Sequence, residues 1–241
     1  RFNRRIRDGT TAADGLWGKL KGIAATVGGL AATKKILGLS DTLASTKARL
    51  NLIVDDGGSV GELEKKIMAS AQRSRSAYFD TASAVASMGS NAKSAFNGTD
   101  EIIAFMEQIN KQFVIGGASA QGQSAAMLQL TQAMAAGALR GEELNSILEN
   151  APGIARAIES YMGIAEGSIK SYAEQGLITA EVVKNAMFAA ADETNAKFES
   201  MPKTWAQIWA GMKNKALSMF APILTKINQI ANSTKFQQVT T

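Results

Sequence analysis

Apolar residues recur along most of this chain at intervals of three and four, the period of one face of an α-helix. Leu16, Leu20, Ile23, Val27 and Leu30 form the first such seam, followed by Leu43, Leu50 and Val54, with Lys47 on the same stripe. Ala82, Val85 and Met88 are in step, and so are Ile102, Phe105, Met106, Ile109 and Phe113. In the second half, Ile154, Ile158 and Met162 share one side, and Val183, Met187 and Ala190 another. Trp205, Ile208, Trp209, Met212, Ala216 and Met219 fall in heptad-like register near the C-terminus, and Ile223, Ile227 and Ile230 continue that stripe past Pro222. No run of alternating, β-branched residues reads as a strand, and no repeat of fixed period is visible.

Helix starts and stops follow from residues that can bond free backbone groups or adopt unusual dihedrals. Asp41 is expected to cap one helix, Ser59 with Glu62 to form a capping box, and Asp80 to cap the helix through Val85. Thr99 and Asp100 open the next; Ser119 caps a Gln- and Ala-rich one that buries Met127, Leu130 and Met134. Glu142 and Glu143 sit in the first turn of a short helix to Asn150, where acids suit the positive end of the helix dipole. Pro152 fits a first helical turn, Gly163 and Gly176 fit ends, and Thr179 caps again. Lys197 to Lys203 reads as a connector, and Pro222 as a kink or division of the last helix. The expected fold is all-α, a compact bundle of about eight to eleven mostly short helices, with the N-terminal helix free to stand detached. Residues 1–40 read as a basic arm plus a Gly-rich amphipathic helix, 41–232 as the main domain, and 233–241 as a polar tail.

Composition supports helices and narrows the chemistry. Only three prolines occur in 241 residues, and with 6% aromatic residues the core must come mainly from Ala, Leu, Ile, Val and Met. Beginning at Arg1, the chain reads as a piece of a longer polypeptide. There is no His and no Cys, which excludes Ser-His-Asp triads, Cys nucleophiles, zinc fingers and disulfides within it. No cofactor or small-molecule substrate is expected, and the acids Glu142, Glu143 and Glu149 read as helix-start and surface charges. Gly116 to Gly122 is glycine-rich but lacks the Gly-Lys-Ser/Thr ending of a phosphate loop. Asp55-Asp56-Gly57-Gly58 breaks a helix and lacks the alternating ligands of a calcium loop.

The net charge of +5 is concentrated at the N-terminus, where Arg1, Arg4, Arg5, Arg7, Lys19, Lys21, Lys34 and Lys35 face only Asp8 and Asp14. That is a solvated arm or a contact for nucleic acid or an acidic protein surface. Gly18 and Gly22 give a small-residue packing spacing in the first seam. The uncharged Gly22–Thr33 core is too short to cross a bilayer. The uncharged stretch from Gln112 to Leu139 is long enough, but its glutamines, serine and threonine positions would need buried partners in lipid.

The segment Ala138-Leu139-Arg140-Gly141-Glu142-Glu143-Leu144-Asn145-Ser146-Ile147-Leu148-Glu149-Asn150-Ala151-Pro152 resembles the signature of bacteriophage tail tape-measure domains. A Gln/Ala-rich helix precedes it, and Tyr172 to Thr179 and Met201 to Trp205 follow at family-like spacing, so the resemblance covers roughly Asp41 to Asn232. The signature residues proper are Leu139, Arg140, Gly141, Glu142, Glu143, Leu144, Leu148, Ala151 and Pro152. The resemblance implies a non-enzymatic virion structural module that contributes to tail assembly, tail length and genome delivery. It implies a location in the tail-tube lumen, and in the host cytoplasm during assembly. It also implies partners: other tape-measure copies in a homo-oligomer, the tail tube, the tail initiator or tip, and assembly chaperones, with transient membrane or DNA contact. Trp205, Ile208, Trp209, Met212 and Met219 are the stripe expected to face a partner or to pack. The alternative is a membrane-active element used during DNA ejection, resting on the apolar helix Leu16 to Leu37 and its flanking lysines.

Overall fold

The computed structural model describes residues 30–232. The arm from Arg1, the seam from Leu16 to Val27, the Gly18–Gly22 spacing and the polar tail 233–241 lie outside the described residues. The described chain is all-α. Its helices are α1 (Leu30–Asn51), α2 (Val60–Arg73), α3 (Tyr78–Asn91), α4 (Thr99–Ile115), α5 (Ala120–Ala136), α6 (Gly141–Asn150), α7 (Pro152–Met162), α8 (Ile169–Glu174), α9 (Ala180–Ala189), α10 (Ala191–Ser200) and α11 (Trp205–Ala231). Among the described residues there is no strand, only an isolated antiparallel bridge between Ala138 and Thr179.

Side-chain caps fall where the sequence places them, although at Ser59 only the hydroxyl half of the expected capping box forms, with no return bond from the Ser59 N–H to the Glu62 carboxylate. The Glu62, Gly122 and Val182 N–H groups donate to the hydroxyls of Ser59, Ser119 and Thr179 at 3.2, 3.1 and 3.2 Å. Each start then has one of its free donors satisfied. Gly137 and Gly163 end α5 and α7 at φ +84° and +66°, left-handed values that a side chain resists.

Four expectations are corrected. Asp41 caps nothing: α1 runs through it, because nothing around Gly38 to Thr42 breaks the backbone and Thr42 Oγ1 bonds back to the Gly38 carbonyl at 2.8 Å. Asp80 is a first-turn residue of α3, which starts at Tyr78 after Ala77, a residue with no capping side chain. Ala191–Ser200, read partly as connector, is a helix that buries only Thr194 and Phe198, one turn apart. Pro222 does not divide the last helix, as one form of the expectation had it: it stands inside α11, which continues to Ala231.

The chain divides into two compact units, 47–215 and a second made of residues up to 46 together with 216 onward. In the second unit, Ser40, Leu43 and Thr46 are buried along α1, and Leu217, Leu224 and Ile227 along α11. The Ser40 hydroxyl donates to the Leu224 carbonyl at 2.8 Å.

The 47–215 unit is built around α4, which packs on α2, α3, α7, α9 and α10. A helix enclosed on several sides must be apolar around much of its girth. Accordingly Ile102, Ile103, Phe105, Met106, Ile109 and Phe113 are all buried. Most of its buried polar side chains are paired, although Gln108 Oε1 has no hydrogen-bond partner. Glu107 takes hydrogen bonds from Arg73 Nη2 at 2.7 Å and Lys111 Nζ at 2.8 Å, and Lys111 also donates to Asn195 Oδ1 at 2.8 Å. Gln112 Nε2 donates to Thr194 Oγ1 at 2.8 Å. This polar seam ties α2, α4 and α10, and the Arg75 guanidinium lies 4.3 Å over the Phe198 ring beside it.

Candidate interaction surface

The signature from Leu139 to Pro152 is partly interior. Leu139, Leu144 and Ala151 are buried, Glu143, Leu148 and Pro152 half-buried, and Arg140, Gly141 and Glu142 exposed. The Leu139 N–H donates to the Ile178 carbonyl at 2.8 Å, and the Ala180 N–H to the Gly137 carbonyl at 2.8 Å. The signature is thereby joined to the Tyr172–Thr179 element. The Arg140 guanidinium lies against Gly176, where a Cβ would come 2.8 Å from its Nη2. Pro152 begins α7 directly after Ala151, so the α6–α7 joint is tight.

Two glycines let that joint approach its neighbours. A Cβ on Gly116 would stand 2.9 Å from the Asn150 carbonyl oxygen and 3.4 Å from the Ala151 Cα. A Cβ on Gly153 would meet Gln112 Oε1 at 2.1 Å. Gly116 therefore serves close packing against the end of the signature, whereas Gly117, with open space around its Cβ position, takes a left-handed φ of +69° just past the end of α4. Glu159, buried on α7, shapes the following loop: its Oε1 accepts the N–H groups of Gly167 at 2.8 Å and Ile169 at 3.1 Å. Nothing in the local sequence signals that role.

The first half of α11 is turned outward. Trp205 is 77% exposed, Trp209 56%, Met212 53% and Ile208 38%. Met219, 76% exposed, lies on the part of the helix belonging to the other unit. On the opposite side, Asn214 is buried, its Oδ1 accepting the Tyr78 N–H at 2.8 Å and its Nδ2 donating to the Ser76 carbonyl at 2.8 Å. The start of α11 is held by a reciprocal box. The Thr204 N–H donates to Gln207 Oε1 at 3.1 Å, and the Gln207 N–H to Thr204 Oγ1 at 3.3 Å. The spacing Thr204-Trp205-Ala206-Gln207 carries that signal in the sequence. Ala206, Gln207 and Ala210 of α11 form one wall of a groove of about 880 Å³, with residues of α3, α4 and α5 on the other sides. Exposed aromatic and Met side chains on a helix fixed along its other face form an apolar patch of the kind found where proteins meet.

A smaller cleft of about 450 Å³ between α4, α7, α9 and α10 holds the charges of Arg156, Glu193 and Lys197. Lys197 pairs with Glu193 one turn away, a surface contact. Among the described residues no cluster of three or more acids could hold a metal ion, and no helix is long and apolar enough to cross a membrane.

No curated protein and no solved structure matches the chain. A family model described as "Tape measure protein" matches residues 34–236, well over half of the sequence and including every described helix after the first turn of α1, so the chain belongs to the tape measure protein family of bacteriophage tails.

Proposed function

We propose that the chain is a non-catalytic assembly module of the tape-measure protein, contributing to tail assembly, tail length and genome delivery. The module docks on other tail components: further tape-measure copies, the tube, the initiator or tip, or an assembly chaperone. It acts in the host cytoplasm during assembly and in the tail lumen afterwards. The observation that carries this reading is the outward stripe of Trp205, Ile208, Trp209 and Met212 on a helix anchored by Asn214. Tail length itself belongs to a longer polypeptide in this reading, because even α11, the longest helix here at 27 residues, spans only about 40 Å.

The signature residues Leu139 to Pro152 act in this reading as scaffold. They close the bundle through the Leu139–Ile178 hydrogen bond and hold the shape on which the α11 face is displayed. A phage carrying Trp205→Glu and Trp209→Glu tests the proposal. Tails that are missing or of irregular length in electron micrographs, from a chain that still folds by circular dichroism, are the expected result. Normal tails and normal infectivity would remove the docking role.

A further inference from the structure

We propose that the face of α11 carrying Trp205, Ile208, Trp209 and Met212 docks an acidic amphipathic helix of another protein. The inference rests on the assembly-module reading and adds the chemistry of the partner. From Ser200 to Thr241 the sequence contains no Asp or Glu, while Lys203, Lys213, Lys215, Lys226 and Lys235 all occur there. Lys203, Lys213 and Lys215 are exposed, and among the described residues none of the three makes an ion pair.

Their placement on the helix gives the charge a use. At about 100° per residue, Lys213 and Lys215 fall on opposite flanks of the stripe through Trp205, Trp209 and Met212. Asn214, between them in sequence, points the other way into the unit. The result is an apolar strip with a cation along each edge. An amphipathic helix with Leu or Ile on one side and Glu on its flanks matches both features, aromatic anchors against aliphatics and opposite charges at the rim.

The same face on a second copy is a poorer match, because α11 against α11 sets lysine beside lysine. An anionic lipid surface matches the charge, but the inner side of α11 is bonded into a globular unit. What remains is a strip of about two turns, not the long free face that an interfacial helix buries.

The test uses the 241-residue chain with Trp17→Phe, so that emission reports Trp205 and Trp209. Three probes are titrated: a synthetic helical peptide with Leu on one face and Glu on the other, its Lys-for-Glu counterpart, and phosphatidylcholine vesicles containing phosphatidylglycerol. The Glu peptide is expected to shift the emission to the blue. Lys213→Glu with Lys215→Glu is expected to weaken that binding about tenfold and to transfer preference to the Lys peptide. Absence of binding, equal binding of both peptides, or binding indifferent to the charge reversal would overturn the proposal. So would vesicles that shift the emission where the peptide does not, or sedimentation showing a dimer that Trp209→Glu dissolves. The exposed lysines can be reversed without touching the core, so a folded variant is available for each arm. Phage with Lys213→Glu and Lys215→Glu separate the two levels. Normal tails despite lost peptide binding would sink the assembly role alone; defective tails with peptide binding unchanged would sink the recognition chemistry alone.

Discussion

Asn214 caps a helix that begins 136 residues before it: its Oδ1 accepts the Tyr78 backbone N–H at 2.8 Å at the start of α3. Its Nδ2 closes the arrangement on the Ser76 carbonyl at 2.8 Å. Ala77, the residue that precedes α3, offers no side chain for the purpose. One buried amide thus both starts α3 and fixes which side of α11 faces inward. Asn214→Ala strips the partner from a buried donor and acceptor, and a loss of about 2 kcal/mol is expected. Urea unfolding checks it: the midpoint should fall with an unchanged slope, and Trp emission should report a looser α11.

Glycine substitutions should separate close approach from helix propensity. At Gly116 an added methyl meets the Asn150 carbonyl oxygen, a backbone atom that cannot turn away. Gly116→Ala is expected to destabilise by about 1–2 kcal/mol. At Gly61, inside α2, nothing lies within 4 Å of the added Cβ, and its backbone is not left-handed. Gly61→Ala is expected to stabilise by about 0.5–1 kcal/mol, through the lower helix cost of Ala. Thermal unfolding of the two variants should therefore move in opposite directions.

The Glu107 seam should give the protein a defined acid response. Burial pushes the Glu107 carboxyl up, but hydrogen bonds from Arg73 and Lys111, with their charges, outweigh it and leave the group below its ordinary value. A carboxylate lowered in the folded state favours folding above its unfolded pKa, because the unfolded chain then binds more protons as acid is added. That stability is fully present at neutral pH and is lost as pH falls through the lowered value. Glu107→Ala should cost about 3 kcal/mol at pH 7, since Lys111, with a side chain only 8% exposed, keeps its hydrogen bond to Asn195 but loses its counter-charge. The difference between parent and variant should shrink on acidification, which denaturation from pH 7 down to pH 3 measures.

Asp55 is a second long-range cap with the same sign. Its Oδ2 accepts both the N–H and the hydroxyl of Thr99 at 2.7 Å, at the start of α4. The Thr99 backbone and hydroxyl hydrogen bonds hold its carboxyl below the ordinary range. Asp55→Ala is expected to cost about 1 kcal/mol. Hydrogen exchange should show the loss first at the Thr99–Ile102 amides, with the far end of α4 still protected.

The sequence by itself determined the helical class, the absence of His and Cys chemistry and the resemblance to the tape measure family. It also placed the helix ends at Ser59, Ser119, Pro152, Gly163, Gly176 and Thr179. Those ends rest on bonds or dihedrals within about four residues, so a short window contains the whole cause. It left α10 partly unread because Thr194 and Phe198 alone are buried there, too few to set a period. Tertiary structure decided the caps supplied by Asn214, Asp55 and Glu159, and the pairing of Glu107 with Arg73 and Lys111. It also decided that Trp205 and Trp209 face outward. Periodicity shows which side chains share a face of a helix; only the packing of distant segments decides whether that face is covered, and a cap from afar exists only after the chain has closed around it.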